Sequence, residues 1–469
     1  MSHDEKRKAA SFSNLSLQTF LWGRKLLIEE CHPFPIKEIR KRISQNLISV
    51  EPGIDISKGI PVCNRCGNSD PERFGAYSCA RCQHHCHYCR ACLLMGVVKT
   101  CSELLTWSGP PPRLPKPETV IIHWDGTLSP LQRRASDALK AALLGGRDFL
   151  IWAVTGAGKT EIFYETLGEA LRQGLRVGIV SPRVDVVLEL SARMKPVFAD
   201  VPAITLYGDS PDTYADVPLI FSTIHQLLRF HQHFDVFFID EVDAFPFHHN
   251  PLLEKALHRA GKPGYLRFYL TATPDERLKK LFLTKKLDGI KIPRRFHGHP
   301  LPEPRFQWIG AWQKRVACGR IPVPLKRWVE RRLALGHPGF VFVPTIEVAE
   351  RLGHLLKTVD PAIDYAHSED PRRHEKVAAF RKGNLPILVT TTILERGVTI
   401  PKLDVAVLGA DEAIFDERAL VQIGGRVGRS ADHPDGDLVF FHQGLTVAML
   451  KALRHIRAMN REAKDIEKS

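Results

Sequence analysis

The segment AVTGAGKTE, residues 153–161, constrains this chain more than any other. It follows the strand-like run FLIWAV and precedes EIFYETLGEALRQG, which has helical character. A glycine-rich turn between a buried strand and a helix closes backbone N–H groups around an anion at the helix N-terminus. In such a loop Thr155, Gly156, Ala157, Gly158, Lys159, Thr160 and Glu161 would surround bound phosphates. Lys159 would reach the outer phosphates and the Thr160 hydroxyl would ligate magnesium. Ala153 stands where the usual pattern begins with glycine.

Apolar runs continue on both sides of this loop. RVGIVSP, PLIFST, VFFIDE and YLTATP follow it, and GFVFVPT, ILVTTT, DVAVLGA and DLVFFHQ form a second series from about residue 335. Continuous apolar runs suit parallel strands buried on both faces, so two α/β lobes in tandem are expected, at 118–300 and 310–469. A basic connection, KKLDGIKIPRRFHGHPLPEP, lies between them. The Pro-rich GPPPRLPKP, residues 109–117, is a stiff linker. Residues 1–60 suggest short helices interrupted at Pro33 and Pro35. LKALRHIRAMNREAKD reads as a final helix packed on lobe two, in preference to a separate DNA-binding tail.

VFFIDEVDAF ends a strand with Asp240, Glu241 and Asp243. Acids at a strand's carboxyl end lie where open α/β sheets place their chemistry. Asp240 would hold magnesium and Glu241 would orient an attacking water. In the second series, VQIGGRVGRS offers Gln422, Arg426 and Arg429. Arginines three apart share one face of a helix and could reach a γ-phosphate from the facing lobe. The competing reading is a basic surface helix. Gly424, Gly425 and Gly428 count against it, because they weaken an ordinary helix.

Seven of the ten cysteines fall in PVCNRCGNSDPERFGAYSCARCQHHCHYCRACLLMG. Cys63-x2-Cys66 and Cys89-x2-Cys92 flank Cys79-x2-Cys82-x3-Cys86. CxxC pairs bring two thiolates to one tetrahedral zinc, so 61–98 is expected to be a zinc-held module. Seven sulfurs are too many for one ion and one too few for two; His84, His85 or His87 would be the eighth ligand. Cys79 with Cys82 is the simplest completion of the first pair, and Cys89 with Cys92 also forms a good knuckle. Cys31, Cys101 and Cys318 read as isolated thiols. Redox sensing is the alternative role. A catalytic zinc lacks an HExxH motif.

The formal charge of +14, from 66 Lys and Arg against 52 acids, points to a polyanionic partner, nucleic acid before an anionic membrane surface. No window approaches the ~18 apolar residues of a membrane span, and the first twenty residues lack a secretion signal's apolar core, so cytoplasmic residence is expected.

In order and spacing, residues ~120–440 resemble a superfamily 2 helicase or translocase. LSPLQ, with Gln132, resembles the adenine-reading glutamine motif. SPRVDVVLEL with Arg183 and STIHQLL with Thr223 resemble motifs that touch the nucleic-acid backbone. LTATP, with Thr271 and Thr273, resembles the motif that couples hydrolysis to lobe movement. VFVPT with Thr345, TTTILERGVTIP with Thr392, Glu395, Arg396 and Gly397, and QIGGRVGR complete the series. Joined to CNRCG and YCRACLLMG, the set resembles the ComFA family of late competence proteins. That resemblance implies two tandem RecA-like P-loop domains preceded by a small zinc-binding module. It also implies ATP, Mg2+ and Zn2+, and a cytoplasmic motor that draws single-stranded DNA through a membrane channel in natural transformation. The implied partners are ComFC, DprA and the channel protein ComEC, which would hold it at the inner face of the membrane. Primosomal protein N′, a replication-restart helicase, is the alternative; its metal module lies between the lobes, whereas here the cysteines precede both. An ATPase switch that recruits partners is a third reading, and the motor motifs do not distinguish DNA from RNA.

Overall fold

The computed structural model describes residues 16–32, 34–57, 59–112, 119–208, 210–212, 214–242, 250–394, 400–431 and 433–468. Lobe one holds β1 Phe149–Ala153, β2 Val177–Ser181, β3 Ala203–Leu206, β4 Leu219–Thr223, β5 Phe234–Asp240, β6 Gly261–Thr271 and β7 Asp288–Ile292. They form a seven-stranded sheet in the order β3-β4-β2-β5-β6-β1-β7, parallel throughout. β1, β2 and β4 are buried at every position, as their unbroken apolar runs require.

Lobe two holds β8 Arg305–Trp308, β9 Gly339–Phe342, β10 Asp364–Ala366, β11 Ile387–Thr390, β12 Asp404–Leu408 and β13 Leu438–His442. Its six strands are parallel in the order β8-β13-β12-β9-β11-β10. The helix Val447–Lys468 packs against the helix Glu417–Gly424 of this lobe. Its Asn460 side chain also grips the interlobe connection, accepting from Leu301 N at 2.8 Å and donating to Leu301 O at 2.9 Å.

Short helices Leu17–Leu21 and Ile36–Ser44 lie on either side of the Pro33–Pro35 break. Strands Leu26–Leu27, between these helices, and Ile48–Pro52 and Glu103–Trp107, after them, make a three-stranded antiparallel sheet with the last strand in the middle. Pro52 pairs with Glu103, so the cysteine segment leaves this sheet and returns to it. The N-terminal residues and the cysteine segment therefore build one unit. Part of the Pro-rich linker, residues 113–117, lies outside the described residues.

This unit is fastened to lobe one. Arg24 bridges to Phe230, Lys25 N donates to Arg229 O at 2.9 Å, and His231 N donates to Gly23 O at 2.9 Å. The Arg24 guanidinium lies 4.0 Å from the centre of the Tyr214 ring. Glu30 joins both parts: one carboxylate oxygen accepts from Arg229 Nε at 3.0 Å and the other pairs with the buried Arg65. Arg65 also donates to Met95 O at 2.7 Å, which ties the cysteine segment to the same joint. Truncating Arg65 to alanine removes the cation from one Glu30 oxygen, leaves the Met95 carbonyl without that donor and opens a hole. The expected cost is about 3–5 kcal/mol, the range for breaking a buried ion pair, and an unchanged thermal midpoint would rule this joint out as a main fastening.

Candidate functional site

β1 ends at Ala153, and the chain turns through residues 154–158 into the helix Lys159–Ile162. Gly156 and Gly158 take φ of 79° and 69°, which lets the loop curl back on itself. A Cβ at Gly158 would lie 2.2 Å from Gln132 Nε2, so a larger residue there would push that amide off the loop. That nitrogen donates to Ala157 O at 3.0 Å and Gly158 O at 3.4 Å, while Gln132 Oε1 accepts from Ser129 N at 2.9 Å. The glutamine expected to read a base thus has its amide engaged in shaping the phosphate loop and capping its own helix.

A cavity of about 1000 Å³ opens between the lobes. Thr155, Gly156, Gly158, Lys159, Thr160 and Glu161 line it from the loop, Asp240 and Glu241 from the end of β5, and Gln422, Arg426 and Arg429 from lobe two. Ala157 is buried beneath the loop and contributes its carbonyl to Gln132. Glu241 adopts φ of 56°; its N–H donates to Leu270 O and to Asp240 Oδ1, both at 3.0 Å. Asp243 lies outside the described residues.

Arg426 and Arg429 do not share a helix face. The helix Glu417–Gly424 is capped at Gly425, and Gly428 turns the chain with φ of 62°. The glycines that weaken a helix end it here, and a turn delivers both arginines to the cavity. Burial pushes the Arg426 guanidinium down to about 9, with Arg429 lowering it further while Glu189 and Glu241 oppose. Arg429 is lowered as well, first by burial. Both remain cationic at neutral pH, and cations held away from water favour an anion between them.

Two contributors carry no motif in the sequence. Arg295, buried between the lobes, donates to Gly428 O at 2.6 Å, Val427 O at 2.8 Å and Gly425 O at 3.4 Å. Burial first, then Arg429, hold it at about 10, so it stays charged. The next residue, Phe296, donates its N–H to Gly156 O at 2.9 Å. One short segment thus touches both the phosphate loop and the arginine turn. Arg193 pairs with Glu161 and donates to Thr160 Oγ1 at 3.4 Å, holding the first turn after the loop.

The residues expected at nucleic acid are scattered in their settings. Arg183 donates across the lobe boundary to Ile393 O, beside Thr392. Thr345 is exposed, and its hydroxyl caps a helix by accepting from Val348 N at 3.2 Å. Thr223 is buried at the end of β4, which removes its side chain from any strand-binding surface. Glu395, Arg396 and Gly397 lie outside the described residues. Thr271 Oγ1 accepts from Thr273 N at 3.0 Å, and Thr273 Oγ1 accepts from Gln422 Nε2 at 3.2 Å, which links β6 to lobe two.

The cysteines gather into two groups of four: Cys63, Cys66, Cys89 and Cys92, and Cys79, Cys82, Cys86 and Cys101. Of the two completions left open for the first pair, Cys89 with Cys92 supplies it. Two sequence expectations change: Cys101 is no isolated thiol, and none of His84, His85 and His87 belongs to either group. The loop of residues 99–102 carries Cys101 back, with Thr100 N donating to His87 O at 3.0 Å. Sulfur–sulfur distances of 3.9 Å for Cys63–Cys92 and 3.6 Å for Cys66–Cys89 fit the edges of a thiolate tetrahedron around zinc, about 3.8 Å for bonds of ~2.3 Å.

Comparison with known proteins matches residues 7–106 to the family model "Competence protein ComFA N-terminal domain", 125–276 to "Type III restriction enzyme, res subunit" and 325–431 to "Helicase conserved C-terminal domain". Competence protein ComFA of Bacillus subtilis is 43% identical over 460 residues, 98% of each chain. Competence protein ComFA of Streptococcus pneumoniae is 40% identical over 418 residues, covering 88% of this chain and 93% of its own. Among solved structures, S. cerevisiae Dbp5 bound to RNA and ADP BeF3 aligns with a TM-score of 0.53 at 17% identity, over 73% of this chain and 93% of that one. The likeness to such structures is one of fold, two RecA-like lobes in tandem.

Replacing Arg295 by alanine removes the cation from three carbonyls while leaving every motif residue intact. The expected result is a fall in kcat for nucleotide hydrolysis of about ten- to a hundredfold, matching charge-assisted bonds worth ~1.5–3 kcal/mol, with KM within about twofold. Arg295→Lys should recover part of the loss. Steady-state kinetics separate the two constants, and an unchanged kcat would remove Arg295 from the machinery.

Proposed function

The chain belongs to the ComFA family of competence proteins, and we propose that this helicase-like ATPase is a single-stranded DNA translocase that drives DNA uptake during natural transformation. One observation carries the proposal: a phosphate loop and a strand-end acid pair on lobe one face Gln422, Arg426 and Arg429 of lobe two across one cavity. Such a site senses nucleotide with both lobes at once, which is what converts hydrolysis into relative movement.

In this reading Lys159 grips the outer phosphates of ATP and the loop's N–H groups cradle the rest. Thr160 and Asp240, hard oxygen donors lining one cavity, suit magnesium, which when bound neutralises phosphate charge. Glu241 orients the attacking water. Arg426 and Arg429 meet the charge that develops on the transferring phosphoryl group. Gln422, bonded to Thr273, carries the change at the γ-position to β6.

The strand would lie across both lobes, against Arg183, Thr345, Thr392 and Arg396, with the Thr223 segment contributing backbone. Phosphate contacts of this kind tolerate any sequence, as uptake of arbitrary DNA demands, and the charge of +14 favours them. The N-terminal unit holds zinc as a structural element and gives the motor a rigid outer face. Placed ahead of both lobes, it argues against the restart-helicase alternative. Among the described residues no helix is long and apolar enough to cross a membrane. A cytoplasmic position at the inner membrane face, reached through ComFC, DprA and ComEC, is part of the same proposal.

Lys159→Ala should abolish ATP turnover without moving the melting midpoint; normal turnover in that variant would falsify the phosphate-loop assignment. Single-stranded DNA should stimulate hydrolysis manyfold, and rising salt should erode the effect. Equal rates with and without DNA would sink the translocase, and stronger stimulation by RNA would redirect the substrate.

A further inference from the structure

The two cysteine groups are built differently. Cys63, Cys66, Cys89 and Cys92 are all buried and belong to the apolar core that runs on into lobe one. Lobe one holds their loop directly, since Lys255 Nζ donates to Gly67 O at 3.2 Å and Arg259 donates to Asn64 O. The second group sits outside that core. Cys79 and Cys86 are buried, but Cys82 and Cys101 are partly exposed.

The ligands interleave along the chain. An antiparallel hairpin pairs Phe74–Ser78 with His85–Cys89. Cys86 and Cys89 are three residues apart on one strand, so they project to opposite faces and serve different groups. Beyond the hairpin's first strand, Gln83 takes φ of 57° and donates its N–H to Cys79 O at 2.8 Å, a tight turn that brings Cys79 and Cys82 to one side. The loop of residues 99–102 is closed by Ser102 N donating to Lys99 O at 3.1 Å and Lys99 N donating to Ser102 Oγ at 3.0 Å. It sets Cys101 Sγ 3.9 Å from Cys79 Sγ, while Cys82 and Cys86 stand 3.3 Å apart and all four sulfurs lie within 4.8 Å of one another. Reduced thiols have little reason to converge in fours; a shared cation supplies it.

We propose that Cys79, Cys82, Cys86 and Cys101 hold a second zinc ion, distinct from the one held by Cys63, Cys66, Cys89 and Cys92, and that this outer ion is the exchangeable one. The inference rests on the reading that the N-terminal unit binds zinc. The inner ion is walled by core side chains and lobe one, so releasing it requires the joint to open. The outer ion has two ligands at the surface, where a competing chelator or thiol can displace them one at a time. It would fold the hairpin tip without fastening the unit to the motor.

Elemental analysis of the purified full-length protein tests this. Two zinc ions per chain are expected in the unaltered protein and one in Cys101→Ser, with Cys82→Ser as the independent second variant. Both variants should keep DNA-independent ATP hydrolysis and near-native circular dichroism. A chromogenic chelator should draw zinc from the unaltered protein in two phases of equal amplitude, and the fast phase should vanish in Cys101→Ser. One zinc in the unaltered protein and one in the variants overturns the second site and leaves the first intact. Two in Cys101→Ser removes that residue as a ligand. Iron with visible charge-transfer bands overturns the choice of metal, a single exchange phase overturns the asymmetry, and no metal at all overturns the zinc reading on which the inference stands.

Discussion

Three carbonyl oxygens from the end of one helix and the turn after it converge on a single guanidinium, and the cleft is organised around that meeting. The last carbonyls of a helix have no partner within it and carry the negative end of its dipole. In lobe two the cap residue Gly425 presents such a carbonyl, the turn residues Val427 and Gly428 add two more, and Arg295 from the interlobe connection donates to all three. Removed from water, the contact is stronger than it would be at a surface. Because Phe296 next to it bonds Gly156 O, the connection is a strut as well as a tether. Gly425 completes the fit from the other side: a Cβ there would fall 1.9 Å from Thr155 Oγ1, so only a bare backbone lets the arginine turn approach the phosphate loop so closely.

The cleft is therefore prepared electrostatically before any ligand arrives. Arg295, Arg426 and Arg429 crowd one buried region, and each is held below its ordinary titration range by burial and, for Arg295 and Arg426, by Arg429. Like charges brought together in a low-dielectric space are costly unless an anion joins them. A polyphosphate lying on the facing loop would relieve that repulsion, which favours lobe closure when nucleotide is bound and weakens it when the outer phosphate leaves.

What could be read from the sequence follows burial closely. Every strand with an unbroken apolar run, from FLIWAV to DLVFFHQ, lies inside a sheet, while β3, β7, β8 and β10, which announce themselves by no such run, are the four sheet edges. β8 and β10 show why: partly exposed on one or both faces, they alternate or carry charge as edges do. The phosphate loop and the acid pair were legible because their chemistry depends on contiguous residues. Arg295 was not, since its role depends on a partner turn more than a hundred residues away and a lone arginine in a basic connection has no pattern. Cys101 was hidden similarly: spacing identified CxxC pairs, but only the bridge between Tyr88 and Lys99 and the bond from Thr100 N to His87 O bring the loop of residues 99–102 back to the hairpin. The helix expected to carry Arg426 and Arg429 fails for a local reason, because glycines suited to a close approach are also helix stops.

The joint between the N-terminal unit and lobe one bears on how such a machine divides its labour. Backbone bonds from Gly23 and Lys25, the Glu30 carboxylate and the Gly67 carbonyl all reach the same lobe. A body attached in so many places has no hinge of its own, so it shares the frame of reference of the phosphate loop. In the proposed translocase, lobe two would then be the lever and the cysteine-bearing body the stator. A load anchored to that body would be felt by the fixed half of such an engine, and the free half would do the walking.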